Sequence, residues 1–221
     1  MIEVKGNGNI ISKEISVSSF ICLHVAGRGM VELYQSDEEK VIVETDENLH
    51  EFISVINSGR TLYVSVEGKL RQPVFTLCKI KIYLRQIDLI FIRNENANLI
   101  CGNQIAATGP VEIKIQSAGN VELDMNAPAI KILCQSVGDV VLKGKCDNLR
   151  VKNQAVGDFN ASDLFADRVS IQNSAVGNIL LHAEKEITIK HSGVGYIHYS
   201  GKAILKDVRQ HGVGEIKHVD Q

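Results

Sequence analysis

The chain has 221 residues, 44% hydrophobic and 23% charged, with a formal net charge of -2 and a pI near 6.4. That composition excludes a largely disordered chain and offers no basic surface for DNA or RNA. No stretch approaches the roughly 18 apolar residues of a membrane helix, so no membrane insertion is expected. Aromatic residues are only 5% and Trp is absent, so the core must rest on Val, Ile and Leu, which suit stacked sheets.

The opening MIEVKGNGNI reads as a strand. It has no basic segment followed by an apolar one, so the chain as written is expected to be cytoplasmic. Loss of a leader by trimming would instead place it at the cell surface or in the periplasm. IISKEISV, FICLHVAG, GMVELYQ, KVIVETD and TLYVSVEG read as further strands. Turn signals stand at Gly27-Arg28-Gly29, Ser36-Asp37 and Ser58-Gly59. ENLHEFISVI is the one candidate short helix, with Leu49, Phe52, Ile53 and Ile56 on one face; its β-branched tail also permits a strand. Pro73 stands before a strand-rich run over 74–92 and suggests a change of register. Cys22, Cys78, Cys101, Cys134 and Cys146 form no CxxC pair and sit in or beside apolar segments, so buried reduced thiols are expected.

From about residue 97 a short repeat takes over. Gly119, Gly138, Gly157, Gly177, Gly195 and Gly214 are separated by 19, 19, 20, 18 and 19 residues. A unit this short cannot bury its own apolar face and must stack on its neighbours. The spacing predicts an all-β fold: a right-handed parallel β-helix with coils of about 19 residues over 97–221, preceded by a β-rich region over 1–96 that continues into it. Two strands per coil are expected, on either side of a turn at each glycine. Counted from the glycine, the apolar columns at -8 (Val111 to Ile187), -6 (Ile113 to Val208), -1 (Ala118 to Val213) and +2 (Val121 to Ile216) are all expected to face inward. At -4 stand Ile115, Cys134, Asn153, Asn173, His191 and Gln210, and Asn153 could stack on Asn173 inside a bend. The N-terminal strands are expected to cap one end, leaving the other open to pairing.

Two outward columns are the candidate ligand-binding positions. At -5, Lys114, Lys152, Lys190 and Arg209 form an imperfect basic stripe, interrupted by Leu133 and Gln172, that would attract an anionic glycan or surface. At +1, Asn120, Asp139, Asp158, Asn178 and Tyr196 form a ridge able to hydrogen-bond sugar hydroxyls, with Tyr196 offering a stacking face. Asp139 and Asp158, one coil apart, would need several more oxygens to hold calcium. His191 with His211, and His198 with His218, come near each other across a coil but lack further zinc ligands. No metal, cofactor or catalytic residue is expected, since GxSxG, HExxH and phosphate-loop patterns are missing.

The Gly6-Asn7-Gly8 opening, the segment KVIVETDENL, and the turns SAGN, SVGD, AVGD, AVGN, SGVGY and HGVGE carry a resemblance. On these residues the chain resembles the auto-transporter adhesin head domain family, also called the head GIN domain, known mainly from Bacteroidetes-type bacteria. The likeness covers essentially all 221 residues. It implies a β-strand domain with a parallel β-helical part and no catalytic residue to carry over. The combined expectation is a non-enzymatic adhesin-like, glycan-binding or scaffold domain. Its partners would be a glycan or cell-surface component, or further copies through edge or end contacts. The enzymatic alternative, polysaccharide cleavage, requires a deep groove around Asp139 and Asp158 with Lys152 or Arg209 close by. A third reading is an intracellular assembly scaffold.

Overall fold

The computed structural model of the chain describes residues 2–66, 71–94, 98–116 and 118–220. The expected division at residues 96 and 97 lies outside the described residues. The first strands are β1 (Ile2–Lys5), β2 (Ile10–Ser16), β3 (Cys22–Gly27), β4 (Met30–Gln35), β5 (Lys40–Asp46), β6 (Ile53–Ser58) and β7 (Thr61–Val66). Then come β8 (Arg71–Val74), β9 (Cys78–Leu84), β10 (Leu89–Asn94), β11 (Leu99–Cys101), β12 (Ile105–Ala106) and β13 (Val111–Ile115). The last are β14 (Val121–Cys134), β15 (Val140–Asn153), β16 (Phe159–Asn173), β17 (Ile179–His191), β18 (Ile197–Ser200), β19 (Ile204–Gln210) and β20 (Ile216–His218). A 3-10 helix, Glu47–Phe52, lies between β5 and β6.

Apart from the parallel pair β1–β8, these strands belong to one hydrogen-bonded sheet that winds into a solenoid. One wall stacks β6, β7, β3, β10 and β13, then the second halves of β14 to β17, then β19. The other stacks β2, β5, β9, β4 and β11, then the first halves of β14 to β17, then β18 and β20. From β13 onward the pairing is parallel and each coil rests on the one before. At the amino-terminal end β5 and β6 pair antiparallel with β9 and β7, and β2 covers β5, which closes that end.

The expected two strands per coil are found in the last coil, as β18 and β19, but in the four coils before it they are corrected to one. β14 to β17 run for 13 to 15 residues each, round the second corner without a break. Parallel pairing persists through that corner, as in Asn126↔Lys145 and Ala127↔Cys146, so the strand bends instead of ending. Only the glycine corner is a true turn. There Gly138, Gly157, Gly177, Gly195 and Gly214 hold φ between +129° and +141°. Glycine is required twice over: L side chains avoid that region, and a β-carbon on Gly138 would stand 2.5 Å from the Gly119 carbonyl oxygen of the coil before.

The columns at -8 and +2 are buried along the stack, and so is -6 up to Ile189. Each such Val, Ile or Phe contributes on the order of 2 kcal/mol by leaving water. In the last coil Val208 is exposed and Ile216 half-buried, because no further coil covers them. The -1 column is corrected outright. Val137, Val156, Val176, Val194 and Val213 face solvent at 50–69% exposure and are joined by single parallel bridges. Alternation explains it: with -8, -6 and -4 inside, the next inward position is -2, where Ser136, Ala155 and Ala175 are buried. The glycine then resets the alternation, so +2 returns to the core.

The candidate helix is half right. Leu49 and Phe52 are buried in the 3-10 turn, but Ile53–Ser58 pairs with β7 as a strand, and Ile56 is exposed. β-Branched Ile53, Val55 and Ile56 favour the pleated partner over a helix. All five cysteines are free. Cys78, Cys134 and Cys146 are buried, while Cys22 and Cys101 are half-buried. Burial pushes the Cys78 thiol up to about 11 and those of Cys101 and Cys146 to about 12, so none of these three is a nucleophile at neutral pH.

The stacking order departs from chain order at one place. The coil β3–β4 lies between β7 and β10 on one wall and between β9 and β11 on the other. After β4 the chain leaves outward to β5, so this layer lacks its own second corner. The Gln35 side chain fills the gap: its Nε2 donates to the carbonyls of Arg85 (3.0 Å) and Ala106 (2.9 Å), and its Oε1 accepts from Ala106 N–H (2.8 Å). Asn103 completes the join by exchanging two hydrogen bonds with the Gln35 backbone.

The Gly6-Asn7-Gly8 opening is explained by Asp46, at 0% exposure. Its Oδ1 accepts from Gly8 N–H (2.9 Å) and its Oδ2 from Thr76 N–H (2.8 Å). A β-carbon on Gly6 would overlap the Asp46 carboxyl, and Gly8 sits at φ 75°. One carboxylate thus ties β5 to the loops before β2 and before β9.

Candidate functional site

The basic stripe is part of a longer column. Along the first wall the outward residues Tyr63, His24, Phe91, Lys114, Leu133, Lys152, Gln172, Lys190 and Arg209 each pair in register with the next. At about 4.8 Å per step the column runs for roughly 40 Å. Its upper end is aromatic: the His24 ring lies 4.9 Å from Tyr63 and 5.1 Å from Phe91. Burial, aided by the charge of Lys114, holds the His24 imidazole below its ordinary value, so it is a neutral ring near pH 7.

The cations differ in their partners. Lys114 stands 3.8 Å from Glu112 and Arg209 Nε stands 3.2 Å from Asp207. Lys152 and Lys190 have no ion pair among the described residues. Lys152, Lys190 and Arg209 come together round one cleft of about 350 Å³, with Gln172, His191 and His211 in its wall. Lys114 lies outside it.

Behind this cleft, the -4 column does not form the expected Asn153–Asn173 stack. Asn173 instead bonds forward: its Nδ2 lies 3.1 Å from His191 Nδ1, while its Oδ1 accepts from Ala175 N–H at 3.4 Å. Asn153, Asn173 and His191 are all within 2% of fully buried. Asn153 Oδ1 and His191 Nε2 have no hydrogen-bond partner.

The +1 ridge serves the architecture with one oxygen per residue. Asn120 Oδ1 accepts from Asp139 N–H (3.0 Å), Asp139 Oδ1 from Asp158 N–H (2.9 Å) and Asp158 Oδ1 from Asn178 N–H (2.7 Å). Asn178 Oδ1 meets Tyr196 N–H at 3.4 Å. The second oxygens of Asp139 and Asp158 remain for solvent or a ligand. Tyr196 stacks on His198 at 4.2 Å, which occupies one ring face. Asp139, Asp158, Asn178 and Tyr196 line a second recess of about 210 Å³, while Asn120 lies outside it. The two recesses share no residue, and no Lys or Arg lines the second. The groove required for polysaccharide cleavage, acids with Lys152 or Arg209 beside them, is therefore not formed. Among the described residues no group of three or more His, Cys, Asp or Glu could hold a metal ion. His191 and His211 are joined by backbone, His211 N–H to His191 O at 2.8 Å. His198 pairs with Lys217, and His218 with Tyr199, so neither histidine pair shares a register position.

A family model described as "Putative auto-transporter adhesin, head GIN domain" matches residues 19–203. The chain belongs to this family. Among solved structures, the head GIN domain described here is similar to a "putative adhesin" from Bacteroides fragilis, with a TM-score of 0.91 and 24% identity, covering 98% of this chain and 100% of that one. It is also similar to a "putative lipid binding protein" from Parabacteroides distasonis (TM-score 0.74, 18% identity, 97% and 99% covered). A third likeness is a "putative adhesin" from the same species (TM-score 0.67, 21% identity, 98% and 100% covered). At these identities the structures establish the shared fold. No curated protein sequence matches the chain. Family membership makes this head GIN domain an adhesin-like module.

One constellation in the head GIN domain escaped the sequence reading. Ser200 Oγ lies 3.0 Å from His182 Nδ1, and His182 Nε2 lies 2.7 Å from Glu184 Oε1. The order resembles a hydrolase triad, but Ser200 and His182 are only 2% and 5% exposed, so no substrate reaches the hydroxyl. The bonds join β17 to β18 at a corner, where His182 and Ser200 are register partners. Seeing it needed that register, since the residues are 18 apart in the chain.

Proposed function

We propose that this head GIN domain is a recognition module that presents its wall column and turn ridge to a glycan or another cell-surface component. The reading is carried by the unbroken outward column, aromatic above and cationic below, in which Lys152 and Lys190 have no ion-pair partner among the described residues. Other lysines on this rod are paired across rungs, as in Lys131–Glu112 (2.9 Å) and Lys143–Glu122 (2.6 Å), which leaves them less available to an anion than Lys152 and Lys190. The ridge adds sugar-directed hydrogen-bonding groups at the same rung spacing. Screening the purified domain on an array of neutral and acidic glycans is expected to give a signal. Silence across the array, with no protease-accessible pool on intact cells, would reject the reading.

A second reading, end-to-end association of copies, is supported by the last coil. β19 and β20 leave one edge unpaired, and Ile204 (65%), Leu205 (43%) and Val208 (39%) are exposed there. Light scattering over a concentration series is expected to show a dimer that Leu205→Glu converts to monomer. A wild-type monomer at every concentration would dismiss it.

A further inference from the structure

The recess of about 210 Å³ beside the turn ridge is a furrow between two outward rows of the second wall. One row is the ridge itself, Asp139, Asp158 and Asn178, closed at one end by Tyr196. The other is Val141, Asn160 and Leu180, which pair in register across β15, β16 and β17. Asp158 and Asn160, two residues apart along the chain, stand on opposite sides of the furrow, about 7 Å from each other by strand geometry.

What each polar group still offers follows from what its structural bond takes. Asp139 and Asp158 each use Oδ1 on the next rung and keep Oδ2 as an acceptor. Asn160 Oδ1 accepts from both the N–H and the hydroxyl of Ser162, at 3.0 and 2.8 Å, which leaves its amide NH2 as a donor. Asn178 Oδ1 takes Tyr196 N–H, which frees a second amide. Among the described residues none of these four groups has a partner. The rung bond itself needs only one oxygen, and Asn120 supplies it from the same column, so the architecture has no use for the second oxygens of Asp139 and Asp158. Two acceptors and two donors thus line one recess between aliphatic side chains. The mixture disfavours ions of either sign. No Lys or Arg lines the recess to offset an anion against two carboxylates, and a cation would meet two amide NH2 groups. Hydroxyls donate and accept, and so satisfy both kinds at once.

We propose that this recess binds one ring of a neutral glycan through a vicinal pair of hydroxyls. One hydroxyl donates to the free Asp158 oxygen and the other accepts from the Asn160 amide, while ring C–H groups pack on Val141 and Leu180. This rests on the glycan reading above and gives the ridge an uncharged ligand class, distinct from the anions that the cationic column would attract.

The probes are cellohexaose and β-1,4-mannohexaose, whose 2,3-diols are trans and cis, with hexagalacturonate as the acidic counterpart. The full chain is titrated by calorimetry and by NMR of the asparagine side-chain amides. At least one neutral hexasaccharide is expected to bind and to shift the NH2 signals of Asn160 and Asn178, with hexagalacturonate about tenfold weaker or more. Asp158→Asn keeps the rung oxygen and replaces the free one by an amide. It is expected to weaken binding about tenfold while leaving the melting temperature within about 2 °C, since asparagine already stands in that column at Asn120 and Asn178. Asn160→Asp keeps the oxygen that Ser162 uses, removes the donor, and is expected to weaken binding by a similar factor. Binding that leaves both amides unshifted, or that is unchanged in Asp158→Asn, overturns the recess and leaves the wider glycan reading intact. If neither neutral hexasaccharide binds, the recess is also overturned, and the glycan reading then stands or falls with the array.

Discussion

Replacing Gly157 with alanine is expected to destabilise the protein by about 3 kcal/mol or more, lowering its melting temperature by roughly 10 °C. Two effects add. At φ +134° an L side chain is strained, and the new β-carbon would overlap the Gly138 carbonyl oxygen. That oxygen belongs to the layer beneath, so relief requires the two coils to separate, and the rung bond Gly138 N–H to Val156 O (2.9 Å) goes with them. Val156→Ala is the control. Its side chain is 53% exposed and should cost well under 1 kcal/mol. Thermal melts that show equal losses for the two variants would mean that the turn glycine is not the element setting the spacing of the coils.

Removing the Asp46 carboxylate is the second large effect. Asp46→Ala takes the charged acceptor from the N–H groups of Gly8 and Thr76 in two part-buried hydrogen bonds, at about 1 kcal/mol each. The same carboxylate makes stability depend on pH. Burial opposes its charge, but the donors from Thr76 and Gly8 outweigh it and hold the folded carboxyl below the ordinary aspartate value. The unfolded chain therefore takes up the proton more readily on acidification. The stabilisation is fully present above about pH 5 and drains as pH falls below about 4, through the folded value. Chemical denaturation of wild type and Asp46→Asn between about pH 2.5 and pH 6 should show a shallower acid loss in the variant. Parallel curves would mean that Asp46 is not a linked proton site, since Glu32, Glu112 and Asp167 are also held low and contribute equally to both.

The glycine period was enough to read the solenoid, its coil length and the inward columns at -8, -6 and +2, because one residue type at fixed spacing has few other physical explanations. It misplaced the -1 valines, where apolar identity was allowed to override alternation. Val137 and its equivalents are β-branched because they pair as isolated bridges, and their neighbours in the column cover them in part. The basic stripe at -5 was legible for the same reason as the core columns. Its aromatic continuation was not. Tyr63, His24 and Phe91 are neighbours only because the first coil is inserted between later ones, and no periodicity in the chain encodes that. The free amides of Asn160 and Asn178 likewise needed the directions of their hydrogen bonds, which sequence does not carry.

That insertion has a consequence for how the molecule can grow, shorten and come apart. In an ordinary stacked repeat the two ends are equivalent, and a layer can be added or lost at either one. Here β3 and β4 sit beneath β7 and β9 and above β10 and β11, so the earliest-synthesised coil is roofed by chain made after it. The outer strands β1, β2 and β6 can peel, but β3 and β4 cannot leave without parting the strands on both sides of them. The rod therefore has a clasp at one end and a free tip at the other. Loss of β3 and β4 would part the strands before them in the stack from all the coils after them, whereas loss of β19 and β20 would uncover only β17 and β18.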